Sequence, residues 1–304
     1  MTNKEKYVGI VVPMVSPLTA DGDVDRAATR RIVEHMVDAG CAPFVAGTTG
    51  ESHSLNDVQK ATLVAETVGQ AGRRQLVYAG ISDNCLASSV AKAKAYKALG
   101  ADVVVAHLPC YYAIEEDQME RWYLALADRS PLPLILYNIP VTTGLSMPLD
   151  LVDRLSQHDN IVGFKDSERG DGRLNQALAL WRDREDFTFH LGWAAKSAYG
   201  LLNGLDGIVP SSANLVPALY RALYDAAKQG DAAEAERLQG VTDEISRYYQ
   251  EGRILSRSLP ALKVMLAAAG LCGPHAASPM LTLPDEELAR VVADMRGRFG
   301  DYLN

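Results

Sequence analysis

Paired cysteines are missing from this chain. Its four, Cys41, Cys85, Cys110 and Cys272, are scattered with no C-x-x-C spacing, which excludes a disulfide framework and points to reduced thiols in a reducing compartment. The six histidines show no ligand spacing, with no H-E-x-x-H and no paired Cys/His motif, so no metal and no other cofactor is expected. Positive charge is in deficit: 30 Lys and Arg stand against 38 Asp and Glu, a formal net charge of -8. The clustered basic surface that nucleic acid or an anionic membrane requires is therefore not expected. Long apolar runs are also lacking. The Met-Thr-Asn-Lys-Glu-Lys start has no secretory apolar core, and nothing approaches the roughly 20 apolar residues that span a bilayer, so a cytoplasmic protein is expected. There is no low-complexity tract, no disordered linker, and no G-x-G-x-x-G after the first apolar run.

What is present is an ordinary globular composition over 304 residues, 48% hydrophobic and 22% charged, long enough for one large domain and an appendage. Short β-rich runs alternate with longer amphipathic ones. Strands are predicted over 8–12, 44–46, 76–79, 103–106, 134–137, 161–165, 188–191 and 207–209, separated by stretches of helical period that end in glycine or a polar cluster. Residues 26–39, for example, put Ile32, Val33, Met36 and Val37 on one face and stop at Gly40, the residue type favoured just past a helix. Continuous apolar strands suit an open doubly wound sheet or a barrel, but eight βα units favour a closed (β/α)8 TIM barrel. Beyond about Ala218 the strand signals end, and segments around 231–251, 260–269 and 285–299 read as helices. The expected organisation is a barrel carrying the active site over 1–225 and a C-terminal α-helical region over 226–304.

Lys165 is the most informative residue. It closes the apolar stretch Ile161-Val162-Gly163-Phe164, with Asp166-Ser167 expected to follow as a loop near solvent. Desolvation disfavours an ammonium, so a lysine at the mouth of an apolar barrel can lose its proton near neutral pH and attack a carbonyl as a Schiff-base nucleophile. Taken alone, a lysine ending a strand is more often solvated or salt-bridged, and its neighbours decide. Residues just past the strand ends of a (β/α)8 barrel converge on one mouth. That rule gathers Gly47-Thr48-Thr49-Gly50-Glu51-Ser52, Pro109-Cys110-Tyr111-Tyr112, Tyr137-Asn138-Ile139-Pro140 and Lys165. Imine chemistry on a 2-oxo acid needs an amine, donors for the carboxylate and a proton shuttle. The set supplies all three, with hydroxyls and backbone N–H groups in the Thr48-Thr49 turn and a phenol at Tyr137. Each member has a plainer reading: a simple turn, packing aromatics at Tyr111 and Tyr112, a buried satisfied tyrosine at Tyr137. Trp193 either walls the pocket or caps the barrel, and Ser211, Ser212 and Asn214 either touch a substrate or cap a helix.

With these residues in place, the sequence resembles the family of dihydrodipicolinate synthase and N-acetylneuraminate lyase, the pyruvate-type class I aldolases. The marks are Gly47-Thr48-Thr49-Gly50-Glu51, Tyr137-Asn138-x-Pro140-x-x-x-Gly144 and Gly163-Phe164-Lys165-Asp166, in the family's order. The resemblance implies Lys165 as the Schiff-base lysine, Tyr137 as the proton-transfer phenol, and Thr48 and Thr49 as the carboxylate and relay residues. It also implies a tyrosine lent to the neighbouring subunit, with Tyr111 at the matching interval and Tyr112 as the other candidate, in a homotetramer built as a dimer of dimers. Expected substrate contacts are Gly47, Thr49, Thr142, Gly192 and Val209. Thr142 stands where dihydrodipicolinate synthases typically carry an arginine for the second substrate's carboxylate. Gly192-Trp193-Ala194-Ala195 stands where sialic acid lyases typically have acidic residues. The segments Pro109-Cys110-Tyr111-Tyr112, Thr143-Gly144-Leu145 and Leu155-Ser156-Gln157-His158 look like those of 4-hydroxy-2-oxoglutarate aldolases and 2-keto-3-deoxy sugar acid aldolases or dehydratases. The expected reaction is therefore reversible cleavage of such a 2-oxo acid to pyruvate and an aldehyde, or its dehydration. A dihydrodipicolinate synthase, a metal-dependent aldolase and a non-catalytic 2-oxo acid-binding or regulatory barrel are the alternatives.

Overall fold

The eight apolar runs form eight parallel strands in a computed structural model that describes residues 3–302. They are β1 (Gly9–Pro13), β2 (Ala42–Val45), β3 (Tyr78–Gly80), β4 (Val103–His107), β5 (Leu134–Asn138), β6 (Ile161–Asp166), β7 (Thr188–Leu191) and β8 (Gly207–Ile208). Neighbours pair in chain order, and β8 returns to β1 through Gly9 with Gly207 and Ile10 with Ile208, closing the barrel. Alternate residues face two different apolar layers. Val11, Phe44, Tyr78, Val105, Ile135, Val162 and Val209 belong to the barrel's own core, while Val12, Val45, Val104, Leu136 and Phe164 pack into the core beneath the helices. Burial on both faces is why these strands read as continuous apolar runs with no alternation.

The helices are α1 (Asn3–Tyr7), α2 (Arg26–Asp38), α3 (Asp57–Ala71), α4 (Leu86–Leu99), α5 (Glu116–Arg129), α6 (Pro140–Thr143), α7 (Leu149–Leu155), α8 (Asp171–Trp181), α9 (Ser197–Leu202), α10 (Pro217–Lys228), α11 (Ala232–Gln250), α12 (Leu255–Ala268) and α13 (Asp285–Arg298). Helix α2 begins where the Asp25 carboxylate accepts the Ala28 N–H at 2.9 Å, buries Ile32, Val33, Met36 and Val37, and is followed by left-handed Gly40. Asn56 and Gln59 form a reciprocal capping box at α3. Helix α10 packs on β1 and α2 as the eighth outer helix and runs across the boundary expected at 225 and 226. Beyond it lie the three expected C-terminal helices. No helix among the described residues is long and apolar enough to cross a membrane.

Strand limits shift in two places that matter. Strand β2 begins at Ala42 and includes Pro43. Strand β6 continues through Asp166, which pairs with Asn138 and Leu191 where a loop was expected.

Candidate active site

A break in register directs Lys165 inward. Val162 lies in the barrel core, and strict alternation would send a residue three positions later to the opposite face. The pairing of β6 with β5 slips instead: Leu134 faces Ile161, yet Ile135 faces Gly163. The extra residue reverses the phase, so Phe164 joins the layer under the helices and Lys165 faces the interior opposite Tyr137. Glycine is required at the slip, because a Cβ on Gly163 would lie 2.4 Å from Thr188 Oγ1. Behind the strand, Trp181 and Phe189 hold the Phe164 ring at centroid distances of 5.6 and 6.1 Å.

Lys165 is only 5% exposed, a correction to the expected position near solvent. Its Nζ lies 3.8 Å from the centroid of the Tyr137 ring and 5.0 Å from that of Phe44. Ring faces favour an ammonium, and Tyr137 pulls in that direction, but burial dominates and holds the amine below the usual lysine range. Among the described residues no carboxylate pairs with it. A cavity of about 10 Å³ lies beside it, lined by Phe44, Tyr78, Val105, His190 and Val209 among others, room for about one water.

The Thr48-Thr49 turn follows β2. Left-handed Ala46 (φ 55°) and Glu51 (φ 56°) bracket it, a conformation that costs roughly 1 kcal/mol or more for each non-glycine residue. Ser16 Oγ donates to Gly50 O at 2.6 Å, and the Ser52 N–H to Gly47 O at 3.2 Å. Thr49 is buried and Thr48 half-buried. Among the described residues neither threonine hydroxyl has a hydrogen-bond partner, which leaves both available to a ligand.

Of the other sequence-predicted residues, one joins Lys165 and the rest fall elsewhere. Val209 lines the Lys165 cavity. Gly192 donates its N–H to Asp166 O at 2.6 Å and lies so close to Ser167 that a Cβ would meet its Oγ at 2.1 Å. Thr142, exposed on α6, donates its hydroxyl to Ile139 O at 3.2 Å. Tyr111 is 77% exposed and edge-on to Tyr112 at 4.9 Å, so within one chain it stands apart from the buried group around Lys165. Trp193 is half-buried against the core under the helices. Ser211, Ser212 and Asn214 are neither helix caps nor free: Ser211 bonds Tyr249, Ser212 bonds Tyr220 and Ser246, and Asn214 ties Pro13 O to the Val15 N–H. Helix α10 begins without a side-chain cap.

Three interior residues escaped the sequence reading. Phe44 faces Lys165 as described. His107 ends β4 in register with Tyr137, its ring centroid 6.2 Å away. Its Nδ1 lies 2.7 Å from the Leu108 carbonyl, which can only accept, so Nδ1 carries the proton and Nε2 accepts from exposed His53 at 2.8 Å. His190, opposite Lys165 on β7, is fully buried with Nδ1 unpartnered. Burial first, then the nearby Lys165 charge, pushes His190 down to about 4. His107 is also pushed down to about 4, chiefly by burial and against the pull of its Leu108 bond. Both signals were visible in the sequence, His190 as a polar residue inside an apolar strand run and His107 as one directly following such a run. Around the rim, Asn138 Nδ2 donates to Asp166 at 2.8 Å and Glu168 at 2.9 Å, and Arg173 Nε to Asp166 at 2.7 Å. That network fixes the ends of β5 and β6 together. Among the described residues no three His, Cys, Asp or Glu side chains gather as a metal would need. A larger recess of about 500 Å³, lined by Glu244, Arg247, Tyr248, Glu251 and Arg298, lies in the C-terminal region, on different elements from Lys165.

A (β/α)8 barrel with a charge-suppressed amine at a strand's carboxyl end is the framework of an imine-forming class I lyase. Residues 6–297 match the model of the Dihydrodipicolinate synthetase family. A 4-hydroxy-tetrahydrodipicolinate synthase of Xanthomonas axonopodis pv. citri is 32% identical over 278 residues, 90% of this chain and 89% of the relative. The solved dihydrodipicolinate synthase of Bacteroides thetaiotaomicron superimposes with a TM-score of 0.90 at 33% identity, covering 95% of this chain and 98% of the other. YagE, a prophage protein of Escherichia coli K12 solved in complex with pyruvate, gives 0.89 at 25% identity, covering 96% and 98%. The chain belongs to the dihydrodipicolinate synthetase family, whose members are class I pyruvate-dependent lyases and aldolases, and is an enzyme of that class.

Proposed function

We propose that Lys165 is the Schiff-base nucleophile of a lyase that cleaves a 4-hydroxy-2-oxo acid or a 2-keto-3-deoxy sugar acid to pyruvate and an aldehyde, or dehydrates it. The observation that carries this reading is the Lys165 amine, buried against the Tyr137 and Phe44 rings and, among the described residues, with no carboxylate to keep it charged. A neutral amine adds to the C2 ketone, and Tyr137 exchanges protons as the carbinolamine loses water to form the imine. The imine accepts the electron pair of C3–C4 as Tyr137 takes up the 4-hydroxyl proton, releasing an aldehyde and leaving an enamine; C3 of the enamine is protonated, and water hydrolyses the resulting imine to free pyruvate and Lys165. In the dehydratase outcome the imine loses a C3 proton in place of C–C cleavage, and the enamine so formed expels the C4 hydroxyl as water. Thr48 and Thr49 offer hydroxyls to the substrate carboxylate. Thr142 supplies no cation, and its hydroxyl is committed to Ile139 O, which argues against an anionic second substrate at that point.

The curated relatives' shared name keeps dihydrodipicolinate synthase as the second reading. Four free thiols suit a cytoplasmic enzyme. Tyr111 and Tyr112 are 77% and 75% exposed, accessible to a neighbouring subunit as the proposed sharing in a homotetramer built as a dimer of dimers requires.

Borohydride reduction in the presence of pyruvate should add a pyruvate-derived mass to Lys165, faster as pH rises toward the lowered lysine pKa, and Lys165→Met should stay unlabelled. An unlabelled wild type, or label on another lysine, would end the proposal. A turnover screen of 2-oxo acids, with pyruvate plus aspartate semialdehyde as one arm, assigns the substrate. Efficient condensation in that arm would put the synthase reading first.

A further inference from the structure

Glu51 directly follows the Thr48-Thr49-Gly50 turn, and it is tied to the other end of the chain. Its carboxylate ion-pairs through Oε1 with Lys263 of α12, both side chains being 1% exposed. Oε2 accepts the Ala277 N–H at 2.6 Å, and Lys263 Nζ also donates to His275 O at 2.6 Å. A buried carboxylate and a buried ammonium hold each other and the backbone groups around them, because either alone would be an uncompensated charge out of water. The turn itself has little internal support. Among the described residues it is held by the Glu51 N–H to Thr48 O, the Ser52 N–H to Gly47 O and the Ser16 hydroxyl to Gly50 O, with the Ser54 N–H on Glu51 O at 2.7 Å just beyond it. Glu51 is also left-handed, a conformation that surrounding bonds must maintain.

We propose that Lys263, acting with the 275–277 segment through Glu51, positions the Thr48-Thr49-Gly50 turn for the substrate carboxylate, so that the C-terminal region is a working part of the active site. Lys263 is a positioning residue here and touches no substrate. The assignment of the turn to the carboxylate rests on the Schiff-base reading above. Two variants and two readouts test it. Lys263→Met, which strands the Glu51 charge, should raise the pyruvate KM about tenfold or more and change kcat less than about threefold. Amide hydrogen exchange over 47–52 should accelerate, while circular dichroism and exchange in the barrel strands stay as in wild type. The double variant Glu51→Gln/Lys263→Met strands no charge and keeps an acceptor for the Ala277 N–H. It should recover part of the KM and of the exchange protection, and it serves alone if the single variant does not fold. A folded variant with wild-type exchange over 47–52 overturns the inference, as does an equal fall in kcat with KM unchanged. If wild type forms no pyruvate adduct, the Schiff-base reading fails, and hydrogen exchange still decides whether Lys263 holds the turn.

Discussion

Lys165 and His190 face each other across the β6–β7 ladder, and burial favours the neutral form of both. For His190 and His107, held down to about 4, this has a consequence for stability. As pH falls below about 6.5, the unfolded chain's histidines gain protons that the folded ones refuse until about pH 4. Each therefore contributes stability that is present above pH 6.5 and lost as pH falls toward 4, about 1 kcal/mol per residue near pH 5.5. His190→Leu should flatten that dependence: between pH 7 and about 5.5 its unfolding free energy in urea should drop about 1 kcal/mol less than wild type's. An equal drop would mean that His190 is already charged in the folded state. Tyr137→Phe keeps the ring under Lys165 and deletes the hydroxyl, so kcat should fall roughly 10²- to 10⁴-fold with KM much less affected. An unchanged kcat returns Tyr137 to packing alone. At this scale the sequence was readable for position: Lys165 and Tyr137 lie in the last two residues of β6 and β5, and Thr48 follows β2, as the apolar runs predict. The burial of Lys165 was not, because it depends on rings supplied by β2 and β5.

The decisive element is β6, whose slipped register turns Lys165 inward. Gly163→Ala forces a Cβ against Thr188 Oγ1, and relief requires either a backbone shift or loss of the slip. The expected result is a loss of about 1–3 kcal/mol, the range for overpacking, together with a slower borohydride-trapped adduct. Gly172→Ala in α8, where an added Cβ meets nothing within 4 Å, is the control and should leave both measurements unchanged or slightly improved. Wild-type adduct formation in Gly163→Ala would show that the lysine's direction does not depend on the slip. The existence and order of all eight strands were legible because each is a short apolar run between helical periods. Their limits were less so: apolar pattern alone does not reveal that β6 carries Asp166 in its ladder, because that residue is held by Asn138 and Arg173 from outside the run.

At the scale of the whole molecule, the site is tested through assembly. If Tyr111 completes a neighbour's site, a Lys165→Met chain and a Tyr111→Phe chain should each be impaired, yet their mixture should regain activity as subunits exchange. A hybrid dimer would contain one site with both an intact lysine and an intact lent tyrosine. Verified exchange with no gain would remove Tyr111 from the shared site, and a fully active monomer in sedimentation would remove sharing altogether.

The sequence by itself determined the barrel, its closing count of eight and the chemistry available at its mouth. These follow from local periodicity and from a fold that sends every strand's carboxyl end to one place. Only the tertiary structure decided the electrostatic state of that mouth. The lowered pKa of Lys165 comes from its burial in the barrel interior and holds against the opposing pull of Tyr137, the neutrality of His190 comes from the same packed interior, and the Thr48-Thr49 turn is tied through Glu51 to Lys263 on α12. Desolvation and ion pairing depend on which groups meet in space, and these partners lie on different strands and helices, beyond the reach of any local pattern in the chain.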